Sequence, residues 1–267
     1  MKIVTLIENM ANEQSLFAEH GLSLYIETSE KKILFDTGQS GLFIQNAQKL
    51  GIDIEDVDIL VLSHGHYDHT GGLYPFLEIN KKAVVFAKKE IFTPKYKDKT
   101  RFIGTVYNED ALSGRMIFVN SITEVAPDVF IFPTIDQHHH IDTNFNNHFK
   151  KEKTSFFPDT FEDELFLIIK KNRHINILTA CSHRGITNIC TTATNYFKLP
   201  VNLILGGFHM VNCGVEHYVF IMNYLGNLNP KMIGVCHCTG IDRFAAMKYE
   251  CDTKVFYNFT GNKVTIK

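Results

Sequence analysis

The feature that most constrains this chain is an apolar run that passes directly into a cluster of metal-ligand side chains. Val57 to Leu62 has the composition of a buried strand. It is followed by the run His64-Gly65-His66-Tyr67-Asp68-His69. Alternate residues at a strand end project to one side, so His64 and His66 can share one metal ion. Asp68 and His69 follow a turn that can return them toward the same point, where they can bind a second ion. The sequence therefore predicts a fold in which the strand over 57–62 ends at a metal site.

The order of the predicted elements indicates the fold class. Strands come first, then a helix over 42–50, then more strands, and finally three strand-then-helix units that begin at residue 175. This order predicts the α/β (α+β) class, with two mixed β-sheets packed face to face and helices outside. The result would be a four-layer αββα sandwich, formed as one domain over residues 1–267. Apolar periodicity is weak from 133 to 163, so this segment is predicted to be a long excursion or lid.

Composition excludes several classes of function. The chain has 267 residues, a formal net charge of −2 and 45% apolar residues, which predicts a soluble globular protein that binds neither nucleic acid nor membrane. The apolar runs are far shorter than the roughly twenty residues that a membrane span needs. The six cysteines include no Cys-x-x-Cys pair, and without a secretory signal they indicate a cytoplasmic protein. The oligomeric state stays open.

Motifs spread over most of the chain resemble those of one known family. The run from His64 to His69, with the apolar strand before it, resembles the signature of the metallo-β-lactamase superfamily. Leu34 to Gly38 resembles that superfamily's first motif. The resemblance extends to a branch of metal-dependent hydrolases similar to the dihydropterin–ribofuranosyl-aminobenzene-phosphate synthase of methanogens. The further matching segments are 19–23, 179–186, 205–209 and 236–240.

The resemblance implies the remaining metal ligands. His183 would be the third ligand to the ion held by His64 and His66. His237 would complete the ion held by Asp68 and His69. Both residues follow predicted strands, and strand ends are where loops bring ligands together. His209 stands in the same structural position and would line the site or bind directly.

Several other residues are candidates to line the site. The resemblance implies that Asp36 supports the metal loop and that His20 faces the cleft. Tyr67 can donate a hydrogen bond to a developing oxyanion or can pack outward. Arg184, the neighbour of a predicted ligand, is a candidate for binding an anionic substrate. Lys95 belongs to a basic cluster over 95–101, which is either a solvated loop or an anion site.

The cysteines raise a separate question. Most superfamily members carry a metal-bridging aspartate in a Thr-Gly-Asp turn, whereas the nearest analogue here reads Thr179-Ala180-Cys181. Cys181 is therefore either a thiolate ligand or an inert core residue. Cys236 and Cys238 alternate with His237, so both are predicted to face away from the metal.

These observations favour a metal-dependent hydrolase that uses a metal-bound hydroxide on an ester-type or phosphate-containing small molecule. His66 and Asp68 are the predicted catalytic residues, with Asp68 orienting the hydroxide and moving a proton. Imidazole ligands favour one or two Zn²⁺ ions, and the same ligands accept Mn²⁺ or iron. The alternatives are a transferase of the synthase type, which would form a C–N bond between a pterin and an arylamine, and a non-catalytic metal- or ligand-binding sensor.

Overall fold

A computed structural model describes residues 1–266. Within that range the chain forms eighteen β-strands and seven α-helices. The strands are β1 (Lys2–Ile7), β2 (Ser23–Glu27), β3 (Lys32–Phe35), β4 (Ile59–Val61), β5 (Val84–Ala87), β6 (Lys95–Lys97), β7 (Arg101–Phe102), β8 (Met116–Phe118), β9 (Thr123–Ala126), β10 (Val129–Phe132), β11 (His148–Glu152), β12 (Ser155–Pro158), β13 (Phe166–Lys171), β14 (His174–Leu178), β15 (Val201–Gly206), β16 (Met232–Val235), β17 (Lys254–Tyr257) and β18 (Lys263–Thr265). The helices are α1 (Leu42–Lys49), α2 (Tyr67–Thr70), α3 (Leu73–Ile79), α4 (Glu109–Leu112), α5 (Ile186–Phe197), α6 (Val215–Leu228) and α7 (Ile241–Glu250).

These elements form two compact units. The first unit comprises Met1–Asn120, Phe145–Leu165 and Phe259–Ile266. The second comprises Ser121–Asn144 and Phe166–Asn258. Each unit contains one seven-stranded mixed sheet.

The large sheet of the first unit has the strand order β18-β1-β2-β3-β4-β5-β8. Its first half is antiparallel, whereas β3, β4, β5 and β8 run parallel. All three residues of β4 are buried, as expected for an inner parallel strand. Leu60 of β4 belongs to the same fully buried core as Phe43 of α1 and Phe76 of α3. The carboxyl ends of these parallel strands meet at one edge of the sheet, where the run from His64 to His69 begins.

A third sheet lies within the first unit and was not predicted. It has the antiparallel order β12-β11-β6-β7. β11 and β12 fall inside the predicted excursion over 133–163, whose earlier part, 133–144, belongs to the second unit. These strands are short and mostly half-buried or exposed, so their apolar alternation is weak. The lid role of this segment, and a single domain over 1–267, stay predictions.

The sheet of the second unit has the strand order β17-β16-β15-β14-β13-β10-β9. β14 to β17 are parallel, and β13, β10 and β9 continue the sheet in antiparallel fashion. The three predicted strand-then-helix units are confirmed as β14–α5, β15–α6 and β16–α7. Gly206, at the end of β15, has φ 143°, and a Cβ added there would collide with the carbonyl oxygen of Thr179. Only glycine allows the ends of β14 and β15 to approach so closely.

The predicted α/β class with two mixed sheets is confirmed. Sequence reasoning missed α3, although its apolar residues have helical spacing. Over residues 1–266, no helix combines the length and the apolar character that crossing a bilayer requires.

Candidate metal centre

The end of β4 presents three of the predicted ligands to one another. The backbone N–H of Leu62 donates to the carbonyl oxygen of Phe86, which holds the end of β4 against β5. Beyond it, the ring centroid of His64 lies 4.7 Å from that of His66 and 4.4 Å from that of His69. All three side chains are buried. The turn after β4 therefore gathers the three imidazoles.

Asp36 fixes the orientation of two of these rings. Its Oδ2 accepts from the Ser63 hydroxyl at 2.6 Å and lies 2.8 Å from Nδ1 of His69. Because the Ser63 hydroxyl donates to Asp36, its oxygen is left to accept from Nδ1 of His64, 2.9 Å away. Both imidazoles thus carry their proton on Nδ1, which leaves the Nε2 lone pair to bind a metal ion. The implied support of the metal loop by Asp36 has this physical basis.

Burial sets the charge of the ligands. It holds the pKa of His64 well below its usual value of 6.5, and the neighbouring His69 and His66 lower that pKa further. Burial likewise holds the pKa of His66 well below 6.5, although the Asp68 carboxylate opposes the shift. Both rings are therefore neutral at pH 7, which is the form that coordinates metals.

Asp68 faces two imidazoles. Its Oδ2 lies 3.2 Å from Nε2 of His20 and 3.7 Å from Nε2 of His69. The side chain of Asp68 is 10% exposed, whereas that of His20 is 56% exposed. The structure thus places His20 beside a predicted ligand, at the solvent side of the cluster. Tyr67 begins α2 and is half-buried, and its backbone N–H donates to the carbonyl oxygen of Ile103 at 2.9 Å.

A segment about a hundred residues further along the chain supports the metal loop. Asp163 accepts a hydrogen bond from the backbone N–H of Gly65 at 2.6 Å. The ring of Phe161 lies edge-on to that of His66 with centroids 5.2 Å apart. The ring of His148 stacks on His66 at 5.5 Å. Nothing local in the sequence signals these contacts, because each joins positions more than eighty residues apart.

Lys95 anchors this supporting segment. Its Nζ lies 2.6 Å from Oδ2 of Asp159 and 2.9 Å from Oδ1 of Asp163, and all three side chains are almost fully buried. Burial lowers the pKa of Lys95, but the two carboxylates outweigh it and raise the pKa above its usual value. Both interpretations of the basic cluster, a solvated loop or an anion site, are wrong for Lys95, because its charge is already paired.

The second unit gathers a second set of side chains of the types that bind metals, at the ends of β14, β15 and β16. His183 follows β14, and its Nδ1 lies 3.4 Å from the carbonyl oxygen of Asn144. The backbone N–H of Asn144 donates to the carbonyl oxygen of His183 at 2.7 Å. His209 follows β15, and its ring centroid lies 4.3 Å from that of His183. His237 follows β16 and is buried. The loops after three parallel strands thus converge.

Cys181 lies at the centre of this second set. One ligand atom from each of Cys181, His183 and His209 lies within 4.8 Å of the other two. The same holds for Cys181, His237 and Cys238. Cys181 is the member that the two groups share.

The prediction that Cys238 faces away from the site is wrong. His237 has φ 51° and begins a 3₁₀ turn, so the alternation of an extended strand does not apply. The Sγ of Cys238 instead donates to the carbonyl oxygen of Cys181 and accepts from the backbone N–H of His209. Burial raises the pKa of this thiol, but hydrogen bonding with the side chains of Cys181 and His209 and the nearby imidazoles of His209 and His237 outweigh burial and hold the pKa well below 9.0.

Arg184 is half-buried in the loop just before α5. Its Nη2 donates to the carbonyl oxygen of Ile135 at 3.2 Å, which ties the 133–144 segment to this loop. The chemistry of the gathered donors fits a divalent ion of the zinc class. Buried imidazoles, a carboxylate and thiols are the groups that such ions bind in proteins.

Comparison with known proteins identifies the family. The model of the metallo-beta-lactamase superfamily matches residues 17–153. A curated relative from Methanocaldococcus jannaschii, named 7,8-dihydropterin-6-methyl-4-(beta-D-ribofuranosyl)-aminobenzene-5'-phosphate synthase, is 33% identical in an alignment of length 260 that covers 90% of this chain and 88% of the relative. The chain belongs to the metallo-beta-lactamase superfamily.

Solved structures of superfamily members agree. Tm1679, described as a metal-dependent hydrolase of the beta-lactamase superfamily, is 30% identical, with a TM-score of 0.90 over 100% of this chain and 99% of that one. Zn²⁺-bound PqqB from Methylobacterium extorquens is 11% identical, with a TM-score of 0.61 over the full length of both chains, and shares the fold alone. The predicted metallo-β-lactamase-like fold is confirmed, and membership of this superfamily implies a divalent metal.

Proposed function

We propose that the protein is a metal-dependent hydrolase of an ester-type or phosphate-containing small molecule. The observation that supports this most strongly is the buried, neutral imidazole cluster after β4, oriented through Ser63 and Asp36 in a member of the metallo-beta-lactamase superfamily. A pair of ions, most readily Zn²⁺, is proposed to bind at two sets of ligands. These are His64, His66 and His183 for one ion, and Asp68, His69 and His237 for the other.

The chain's own groups suit such a reaction. A divalent ion, when bound, activates water and polarises the carbonyl or phosphoryl oxygen of a substrate. Asp68 would orient the attacking water and carry a proton toward the leaving group. Its exposed neighbour His20, 3.2 Å away, can relay that proton to solvent. Because His64 and His66 are buried, water is excluded from around these two rings, which strengthens the electrostatic interactions that they make.

Turnover by variants of two ligands tests the proposal. The zinc-loaded protein is assayed against lactones, thioesters, phosphodiesters and phosphomonoesters, and its metal content is measured on the same sample. We expect His66→Ala and Asp68→Ala each to lower turnover by about 10²–10⁴-fold while the urea unfolding midpoint persists. His174→Ala is the matched control, because His174 begins β14, where its Nδ1 lies 2.9 Å from the carbonyl oxygen of Asn172, whereas the predicted ligand His183 follows the other end of that strand. Full activity in both ligand variants contradicts the proposal, and bound metal without turnover of any substrate favours the sensor.

A second candidate function is condensation of a dihydropterin with an arylamine. The 33% identity to the synthase over 90% of this chain favours it. The leaving group would be phosphate or pyrophosphate on a pterin alcohol, displaced by the arylamine nitrogen. Incubation of the metal-loaded protein with a dihydropterin diphosphate and ribofuranosyl-aminobenzene phosphate, followed by mass spectrometry, separates the two functions. A C–N condensation product establishes the synthase, and hydrolysis alone favours the hydrolase.

A further inference from the structure

The thiol of Cys181 lies near both His183 and His237, which bind different ions under the proposed function. Its Sγ is within 4.8 Å of ring nitrogens of His183 and His209, and also within 4.8 Å of a ring nitrogen of His237 and the Sγ of Cys238. In the turn where many superfamily members carry a bridging aspartate, this chain has Thr179-Ala180-Cys181. Cys181 is 3% exposed.

The loops around Cys181 hold it in place. The backbone N–H of Gly207 donates to the carbonyl oxygen of Ala180 at 3.0 Å. The Ser182 hydroxyl donates to the carbonyl oxygen of Gly207 at 2.7 Å. These bonds fix the residues on both sides of Cys181 to the loop that follows β15, so the protein itself holds the backbone that carries the thiol.

The separations suit coordination. Zinc–sulfur and zinc–nitrogen bonds of about 2.3 and 2.1 Å place two ligands of a tetrahedral ion roughly 3.6 Å apart. Because the ligand atoms of each group lie within 4.8 Å of one another, each pair needs to approach by no more than about 1 Å to bind one ion. Cys190 offers a contrast within the same unit. It is also buried, in α5, but over residues 1–266 it belongs to none of the side-chain groups that could hold a metal ion.

We propose that Cys181 binds as a thiolate shared by the ions of His183 and His237, in place of the bridging carboxylate, and that Cys238 joins it on the His237 side. This inference rests on the proposed function for the two ion positions. Binding breaks the S–H bond, the sulfur keeps the electron pair and donates it to the metal, and the proton is released to solvent. A soft, anionic sulfur at this position selects zinc-class ions or Fe²⁺ over Mn²⁺ and Mg²⁺.

Cobalt substitution tests the sulfur ligand directly. Co²⁺ is titrated into metal-free protein, and the thiolate-to-cobalt charge-transfer absorption and the number of ions bound are recorded. We expect the wild type to show the absorption. Cys181→Ser should lose most of it and bind the weaker ion about 10–100-fold less tightly. Cys238→Ser should lose part of it, and Cys190→Ser should keep it. The ¹¹³Cd resonance of cadmium-loaded wild type gives a readout that needs no variant, and it should fall in the thiolate region.

The outcomes separate this inference from the proposed function. An unchanged absorption in Cys181→Ser, or a wild-type ¹¹³Cd resonance typical of nitrogen and oxygen ligands alone, overturns the thiolate ligand even if zinc-loaded protein hydrolyses substrate. Loss of the absorption in Cys181→Ser, but not in Cys190→Ser, supports the thiolate even if the wild type turns over no substrate, in which case the hydrolase proposal fails alone.

Discussion

Replacement of Lys95 by methionine should destabilise the protein strongly and in a pH-dependent way. Lys95 lies 2.6 and 2.9 Å from carboxylate oxygens of Asp159 and Asp163, with 3% of its side chain exposed. Lys95→Met keeps the apolar stem but leaves two buried carboxylates without a cation. Removing one partner of a buried ion pair costs about 3–5 kcal/mol of unfolding free energy. Because one ammonium group serves two carboxylates here, we expect the upper end of that range.

The sign of the pH dependence follows from the same geometry. Burial raises the pKa of Asp163 in the wild type, and the Lys95 ammonium group opposes that shift. Without the ammonium group, the pKa of Asp163 in the folded variant rises further above that in the unfolded chain. The folded state then binds more protons than the unfolded state as the pH falls, so acid stabilises the variant relative to wild type. The deficit should shrink between pH 7 and pH 5 by up to about 1.4 kcal/mol per pH unit, from the titration of Asp163.

Urea unfolding followed by circular dichroism, with a chelator present, measures both effects. Lys89→Met, which removes an exposed lysine from the same unit, is the control and should change stability by less than about 0.5 kcal/mol. Adding Asp159→Asn and Asp163→Asn to Lys95→Met should recover most of the loss. None of the three substituted positions carries a charge in that triple variant, and the amide oxygen introduced at position 163 can still accept from the backbone N–H of Gly65. A Lys95→Met variant within about 1 kcal/mol of wild type at pH 7, or a deficit that grows in acid, would refute the reasoning.

Two further predictions concern the metal loop. Gly65→Ala should lower the unfolding free energy by about 1–3 kcal/mol and weaken zinc binding, because the added Cβ collides with the carbonyl oxygen of Ile91. Urea unfolding and zinc titration measure the two effects, and an unchanged zinc affinity would contradict the prediction. The unfolding free energy of metal-free protein should fall by up to about 1.4 kcal/mol per pH unit below 6.5 for each of His64 and His66. The reason is that these histidines bind protons in the unfolded chain but stay neutral while they are buried. The double variant His64→Gln/His66→Gln should lose that part of the slope, and an equal slope in both proteins would contradict the assignment.

Sequence reasoning succeeded where structure is local. The strand that ends before His64 and the alternating strands and helices after residue 175 follow from apolar patterns a few residues long, and both are confirmed. Asp36 could be found because its motif resembles a known one. The pairing of β6 with β11 could not, because both strands are short and polar and lie some fifty residues apart.

The failures at the site have physical causes. Lys95 looked like one of several solvated lysines, because its partners Asp159 and Asp163 come more than sixty positions later. The alternation of side chains along an extended strand predicts that Cys238 faces away from the metal. It fails here because His237, the preceding residue, has a left-handed backbone conformation. In each case tertiary contacts or a turn, absent from any short window of sequence, decided the outcome.

The Asp36 carboxylate carries a consequence for the evolution of this family. One oxygen both contacts the ring of His69 and, through the Ser63 hydroxyl, steers the ring of His64. Two residues proposed for separate ions thus share a single anchor. A substitution at this position would change the affinities for both ions together. Selection therefore cannot adjust the affinity for one ion here without changing the affinity for the other. Divergence in metal preference must instead arise from residues outside the shared anchor.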